Sequence, residues 1–449
     1  MALDYRLGDT IVAPATAAGV AGVGILRLSG PEALAIARSL CRRQRPWEPR
    51  RAYLQRFYDE HGAALDQGLV LYFPGPHSFT GEDVVELHGH GSPLVLQLLQ
   101  QSARRLGARD ARPGEFSERA FLNGRMDLAQ AEGLADLIHA QSEHQARAAL
   151  ASLEGRFSER VTDLRRAILQ VLALCEAGLD FSEEDLGTSH RQALMQALAE
   201  GQQGLESLLG QARQGARLAR GARVALIGRP NVGKSSLLNA LAQRDSAIVT
   251  AIAGTTRDLV REELQIGNLT VELVDTAGLQ ESIDPVEREG IRRSRAAVAS
   301  SQWVLLVVDA AEGWRDDDAR ILAELDPQRL TVVWNKGDLV AEEPMLPTIH
   351  RQIVLSARTG QGLDKLREEL QLCLGASEAA PFSVRSRHVH ALEHCRAAMA
   401  DAEAALAQGN EELCAEHLRT AAASLGRVTG AIDVEEILGE IFSQFCIGK

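Results

Sequence analysis

Gly228-Arg229-Pro230-Asn231-Val232-Gly233-Lys234-Ser235 is the stretch that decides how this chain is read. It follows an apolar run, Val224-Ala225-Leu226-Ile227, and precedes Ser236-Leu237-Leu238-Asn239-Ala240-Leu241, which reads as helix. Strand, G-x-x-x-x-G-K-S, then helix is the setting of a phosphate-binding loop. Glycines let the backbone curl so that several N–H groups converge on one concavity. The helix N-terminus adds about half a positive charge there, and Lys234 adds a whole one. Ser235 is placed to put its hydroxyl on a Mg²⁺ shared with the phosphates. A glycine-rich turn before a core helix is the bland alternative, and lysine usage weighs against it. Four lysines occur in 449 residues, and one stands here, where a slim point charge suits better than a planar fork.

The length corresponds to about three domains, and the apolar and charged fractions are those of globular protein with a substantial core. Six cysteines, at 41, 175, 373, 395, 414 and 446, show no CxxC or metal-ligand spacing and suit the free thiols of a reducing cytosol. No basic segment followed by an apolar core opens the chain. Thr10 to Leu28 is apolar but broken by Pro14 and glycines, so no membrane span is expected and the location expected is cytoplasmic. A formal net charge of −13 argues against a chain-wide electrostatic grip on nucleic acid. RNA contact must come through a local basic patch or a partner.

Residues 1–122 read as mixed α/β. Thr10–Ala13, Gly24–Leu28, Leu69–Phe73 and Val84–Leu87 are expected strands, and Pro31–Leu40 and Ser92–Leu106 expected helices. The glycines near Gly19, Gly22 and Gly24 suit tight turns better than a dinucleotide fingerprint. His88-Gly-His90 lacks a third ligand in the sequence, which favours structural histidines over a metal pair. Residues 123–215 and 379–449 read as helical. Leu128, Ala131, Ala135 and Ile138 make one stripe, Leu164, Ile168, Val171, Leu172 and Cys175 a second, and Val434, Ile437, Leu438, Ile441, Phe442 and Phe445 a third.

Between the helical stretches, over 216–378, strands and helices alternate as in a parallel sheet. Expected strands are Val224–Ile227, Val260–Ile266, Thr270–Val274, Trp303–Val308, Thr331–Trp334 and Ile353–Leu355. Gly267-Asn268 suits a hairpin that makes the second of these an antiparallel edge. The economical architecture is an α/β domain inserted into a discontinuous helical one, behind an N-terminal α/β domain.

Asp275-Thr276-Ala277-Gly278 ends the third of these strands, where a carboxylate reaches the Mg²⁺ shell and the Gly278 N–H the γ-phosphate. Asn335-Lys336-Gly337-Asp338 is more telling. Asp338 can accept from N1–H and the 2-amino group of guanine, donors that adenine lacks. Lys336 would lie along the base, Ser356-Ala357-Arg358 would offer backbone to the guanine oxygen, and Gly254-Thr255-Thr256-Arg257-Asp258 supplies a switch threonine. These elements, in this order and on these strand ends, indicate a Ras-like P-loop domain that binds and hydrolyses GTP. The residues expected to line the nucleotide are Asn231, Val232, Gly233, Lys234, Ser235, Ser236, Thr250, Ala251, Ile252, Ala253, Gly254, Thr255, Thr256, Asp275, Thr276, Ala277, Gly278, Asn335, Lys336, Gly337, Asp338, Ser356, Ala357 and Arg358. Leu279 follows Asp-Thr-Ala-Gly in place of a glutamine that could orient water, so transition-state charge must be met otherwise. Asn231, with carbonyls from Thr250 to Thr255, can hold a monovalent cation against the phosphates. Glu287 can hold the attacking water or simply face a helix dipole.

With Gly24-Ile25-Leu26-Arg27, Ser78-Phe79-Thr80-Gly81-Glu82-Asp83, Arg112-Pro113-Gly114-Glu115-Phe116-Ser117 and the ending Phe445-Cys446-Ile447-Gly448-Lys449, the chain resembles the MnmE (TrmE) tRNA-modification GTPases over its whole length. The resemblance implies an N-terminal domain that binds 5-formyl- or 5,10-methylene-tetrahydrofolate and forms a homodimer. It implies GTP as substrate, with K⁺ on Asn231, Thr250, Ile252 and Thr255, Mg²⁺ on Ser235 and Thr256, and Glu287 as the water-orienting acid. Folate would meet Arg27, Glu86, Arg125 and Lys449. The partner implied is the FAD-containing MnmG (GidA) subunit, in a heterotetramer that also draws on NADH as a candidate reductant. Together they would add a carboxymethylaminomethyl or aminomethyl group to C5 of the wobble uridine of certain tRNAs. Cys446 can be a nucleophile toward C6 of a uracil ring or a core thiol. A GTPase that chaperones ribosomal RNA is the alternative. It would carry a basic RNA module, whereas residues 381–449 hold ten acidic and six basic side chains.

Overall fold

The computed structural model describes residues 8–180, 188–244, 261–267, 269–275, 295, 297–347, 349–374, 380–432, 438, 441, 442, 445 and 448. The chain divides into two compact units, 1–135 with 152–205 and 390–449, and 136–151 with 206–389. Mixed α/β and helical content is present, as the sequence indicates.

The first unit holds a six-stranded sheet in the order β3-β4-β5-β2-β1-β6. Its strands are β1 (Ile11–Pro14), β2 (Ala21–Ser29), β3 (Tyr53–Tyr58), β4 (Ala64–Phe73), β5 (Val84–Gly91) and β6 (Arg109–Asp110). Alternation separates its faces. Leu26, Leu28, Val85 and Leu87 are buried on one face under α1 (Ala33–Leu40) and α2 (Pro93–Arg105), against Ile36, Leu40, Leu96 and Leu99. On the other face Ile11 and Ala13 meet Phe79 and Phe116, the latter from α3 (Glu115–Leu122). Four expected strands and both helices are present, with shifted ends. The strands β3 and β6 and the helix α3 were not legible. Within β3 only Phe57 is buried, so the strand reads as a polar run.

Four further helices follow in chain order: α4 (Leu128–Ile138), α5 (Glu143–Leu153), α6 (Arg156–Asp180) and α7 (Thr188–Arg220). Every member of the Leu164, Ile168, Val171, Leu172, Cys175 stripe on α6 is buried. Leu128, Ala131 and Ala135 are buried with Leu438, Ile441, Phe442 and Phe445, while Ile138 is 37% exposed. Val434 and Ile437 lie outside the described residues.

The second sheet runs β12-β11-β10-β7-β9-β8. It is built from β7 (Ala222–Ile227), β8 (Arg261–Ile266), β9 (Leu269–Asp275), β10 (Trp303–Asp309), β11 (Leu330–Asn335) and β12 (Gln352–Val354). Ile266 pairs with Leu269, and β8 is the antiparallel edge expected from the sequence. All seven residues of β10 are buried, as a strand covered on both faces requires. The covering helices are α8 (Lys234–Arg244) and α10 (Leu363–Leu374) on one face and α9 (Asp316–Ala323) on the other. Two long helices complete the chain, α11 (Ser386–Ala407) and α12 (Glu411–Thr429), the latter packed along α6 with Arg419 bonded to Glu176 at 2.6 Å. Among the described residues no helix is long and apolar enough to cross a membrane.

Candidate functional site

The buried strand β7 ends at Ile227 and delivers the glycine loop to the start of α8. Gly228 has φ +154°, and a Cβ there would stand 2.2 Å from the Val307 carbonyl on neighbouring β10. Gly233 has φ +95°, and its Cβ would lie 2.3 Å from the Asn335 amide nitrogen. Both positions therefore demand glycine. Asn231 takes the left-handed region at φ 66°, which its short polar side chain tolerates, and is exposed. The Lys234 ammonium donates to the Gly228 and Arg229 carbonyls at 2.8 and 3.0 Å, which sets it over the loop. Ser235 and Ser236 are exposed on the first turn of α8.

Asn335 joins this loop to the loop that follows β12. Its amide nitrogen donates to the Val232 carbonyl at 2.9 Å and its oxygen accepts from Ala357 N–H at 3.0 Å. The residue is 2% exposed. Its role here is that of a strut, which the motif alone does not reveal. The Gly337 N–H donates to Leu355 O at 2.9 Å, and Asp338 follows exposed. Ser356 is buried, with its hydroxyl accepting from Thr359 N–H at 3.2 Å, and Arg358 is exposed.

Four groups that the sequence reading missed hold these loops. Lys336, at φ 64°, pairs with Asp309 at 2.6 Å. Burial pushes the Asp309 carboxyl up, but the hydrogen bond from Lys336 and those from the Ala311 and Glu312 N–H groups outweigh it and hold its pKa below the ordinary aspartate value. Arg229, second in the phosphate loop, bonds Asp318 and Glu312, each at 2.9 Å. Asp318 is fully buried and also accepts from Arg315 N–H at 3.1 Å, closing the first turn of α9. One segment, 309–318, thus anchors both the glycine loop before α8 and the loop after β11. The only signals in the sequence were an aspartate closing an apolar strand and three acids opening a helix.

Asp275 closes β9 beside Leu226 of β7. Thr250, Ala251, Ile252, Ala253, Gly254, Thr255, Thr256, Thr276, Ala277, Gly278, Glu287, Cys446 and Lys449 lie outside the described residues.

In the first unit a second polar cluster sits on the sheet face opposite α1 and α2. Arg27 on β2 and Glu86 on β5 are register partners, joined at 2.9 Å through Nε and 2.8 Å through Nη2. Arg27 lies 5.5 and 5.7 Å from the Phe79 and Phe116 ring centres and donates to the Gly448 carbonyl at 3.4 Å. Gly448 thereby lies beside the Arg27–Glu86 pair. Arg125 is exposed, with its stem beside Gly81. His88 bonds Glu86 at 2.9 Å and His90 bonds Asp66 at 2.7 Å, so each imidazole is spoken for by a carboxylate. Among the described residues no group of three or more His, Cys, Asp or Glu could hold a metal.

The motifs around this cluster are tied together by buried charge. Arg119 bonds Asp9 at 2.6 Å, Glu82 at 3.1 Å and Glu115 at 3.2 Å, while Arg112 bonds Glu118 at 2.8 Å. Ser29 donates to Glu82 at 2.7 Å. Burial pushes the Glu118 carboxyl up, with Arg112 opposing it; the Glu115 carboxyl, also pushed up by burial, is held below its ordinary range by Arg109.

A family model described as the MnmE helical domain matches residues 128–446, and one described as the GTP-binding protein TrmE N-terminus matches residues 10–125. The chain is 48% identical over 452 residues to the tRNA modification GTPase MnmE of Ectopseudomonas mendocina (strain ymp), covering 98% of this chain and 99% of that protein. It is also 48% identical over 448 residues to the protein of the same name from Methylococcus capsulatus, with 98% and 99% covered. Among solved structures, an Aquifex aeolicus Era variant bound to GDP and aluminium fluoride is similar at 26% identity and a TM-score of 0.29, over 40% of this chain and 67% of that one.

Proposed function

The chain belongs to the MnmE (TrmE) family of tRNA modification GTPases, and from that membership we propose that its hydrolysis of GTP drives modification of the wobble uridine in certain tRNAs. The group added at C5 is carboxymethylaminomethyl or aminomethyl, and its one-carbon unit comes from a reduced folate. The chain acts in the cytoplasm as a homodimer, in a heterotetramer with the FAD-dependent MnmG subunit. The observation that carries the nucleotide part is the Asn335 strut, which links the phosphate loop to the base-reading loops through bonds of 2.9 and 3.0 Å.

The Lys234 ammonium and the N-terminus of α8 meet phosphate charge, which grows on the leaving group during hydrolysis. Asp338 accepts from the guanine edge, and the Lys336 stem, fixed by Asp309, lies along the base. Glu287 orients the attacking water. The donor sets fit the ions proposed: hydroxyl oxygens of Ser235 and Thr256 for Mg²⁺, and an amide oxygen with loop carbonyls for K⁺. When bound, these ions supply positive charge at the phosphates, the part that an arginine plays in other phosphoryl-transfer sites.

The cluster around Arg27 and Glu86 supports the folate reading. A part-buried carboxylate can accept from the pterin edge, the Phe79 and Phe116 rings adjoin, and Lys449 follows Gly448 with a cation suited to the glutamate tail. The deciding measurement is the mass of wobble uridine in tRNA from a strain lacking this chain. Loss of the modified mass, restored by the wild-type chain but not by Lys234→Ala, is expected. Unaltered uridine in the deletion strain would overturn the proposal.

A further inference from the structure

Glu86 shares its strand face with His88, because successive β5 side chains alternate and Val85 and Leu87 point into the core. Opposite Glu86 stand Arg27 and Leu71; opposite His88 stand Ile25 and Leu69. The two donors divide the carboxylate between them. Arg27 hydrogen-bonds Oε1 through Nε at 2.9 Å, with Nη2 standing 2.8 Å from the same oxygen as an ion-pair contact, and His88 Nε2 reaches Oε2 at 2.9 Å. An ionised carboxylate offers about four lone-pair directions, two on each oxygen. One hydrogen bond on each oxygen leaves one acceptor direction on each, side by side. Two parallel acceptors match the adjacent N–H donors of a 2-amino-4-oxopyrimidine ring, the edge that a pterin presents.

We propose that His88 is a positioning residue of the folate site, locking the terminal torsion of Glu86 so that both oxygens face the pterin edge. The inference rests on the folate reading above. The terminal torsion of glutamate is broad, so a carboxylate held at one oxygen alone can still pivot about that oxygen as the side-chain torsions adjust together, which swings the other oxygen away. Arg27 cannot supply the second restraint, because both of its contacts converge on Oε1. A bond from Nε2 to a carboxylate places a proton on that nitrogen, so His88 acts as an N–H donor. At 25% side-chain exposure it stands at the rim of the cluster, where a change of side chain leaves the buried face of the sheet intact.

The test is equilibrium titration of the full-length protein with 5-formyltetrahydrofolate, for wild type, His88→Leu, His88→Met and His88→Gln, with the ligand-free melting temperature of each. The leucine and methionine variants lack the donor and should bind roughly tenfold more weakly, the worth of one charge-assisted hydrogen bond. The glutamine variant keeps an N–H donor and should stay within about threefold of wild type. Equal binding by all four would overturn the role of His88 while leaving the folate reading standing. Glutamine as poor as leucine, at unchanged melting temperature, would overturn it too. A wild-type protein that does not bind the folate removes the folate reading and this inference together.

Discussion

Asp309 belongs to no nucleotide motif, yet its 2.6 Å bond to Lys336 fixes a side chain proposed to lie along the base. Asp309→Asn should weaken GDP binding roughly ten- to a hundredfold, the about 1.5–3 kcal/mol of a hydrogen bond between charged groups. Titration with a fluorescent GDP analogue reads this, and unchanged affinity would remove the anchoring role. Because its folded pKa lies below the unfolded value, the Asp309 contribution is fully present above about pH 4 and is lost as pH falls through the lower folded value. Asp338→Asn should erase most of the preference for GTP over ATP, since the carboxylate proposed to accept both guanine donors is gone; competition binding checks it. Burial pushes the Cys395 and Cys41 thiols up to about 12. Iodoacetamide at pH 8 should leave both unmodified in the folded protein and alkylate both in denaturant, as peptide mass spectrometry would show.

At the scale of elements, the strands around the phosphate loop were legible because β7, β10 and β11 are covered on both faces and read as unbroken apolar runs. The helix α3 was not, because its sequence, Glu-Phe-Ser-Glu-Arg-Ala-Phe-Leu, carries three charges that a pattern reading assigns to solvent. Glu115, Glu118 and Arg119 are 2–4% exposed; the two glutamates each pair with an arginine six positions earlier, and Arg119 pairs with Glu115 one turn away and with Asp9 110 positions away. Gly114 precedes α3 at φ +68°, and a Cβ there would stand 2.4 Å from the Phe442 carbonyl. Gly114→Ala combines left-handed strain with a backbone clash and should cost about 1–3 kcal/mol. A fall in melting temperature is the expected readout; an unchanged value would mean that Phe442 does not pack here.

For the whole molecule, the K⁺ proposal predicts much faster GTP turnover in K⁺ than in Na⁺, with the difference lost in Asn231→Ala. Equal rates in the two salts would eliminate the cation cage. By itself the sequence determined the order of motifs along the second sheet and its antiparallel edge. Those properties are local: each needs a few neighbouring residues and a strand end. Tertiary structure alone decided that Asp309, Glu312 and Asp318 would anchor two separate loops, that Asn335 would bridge them, and that Gly448 would meet Arg27 421 positions away in the chain. Partners so far apart leave no periodicity to read, because it is the folding of the sheets that brings them within a hydrogen bond.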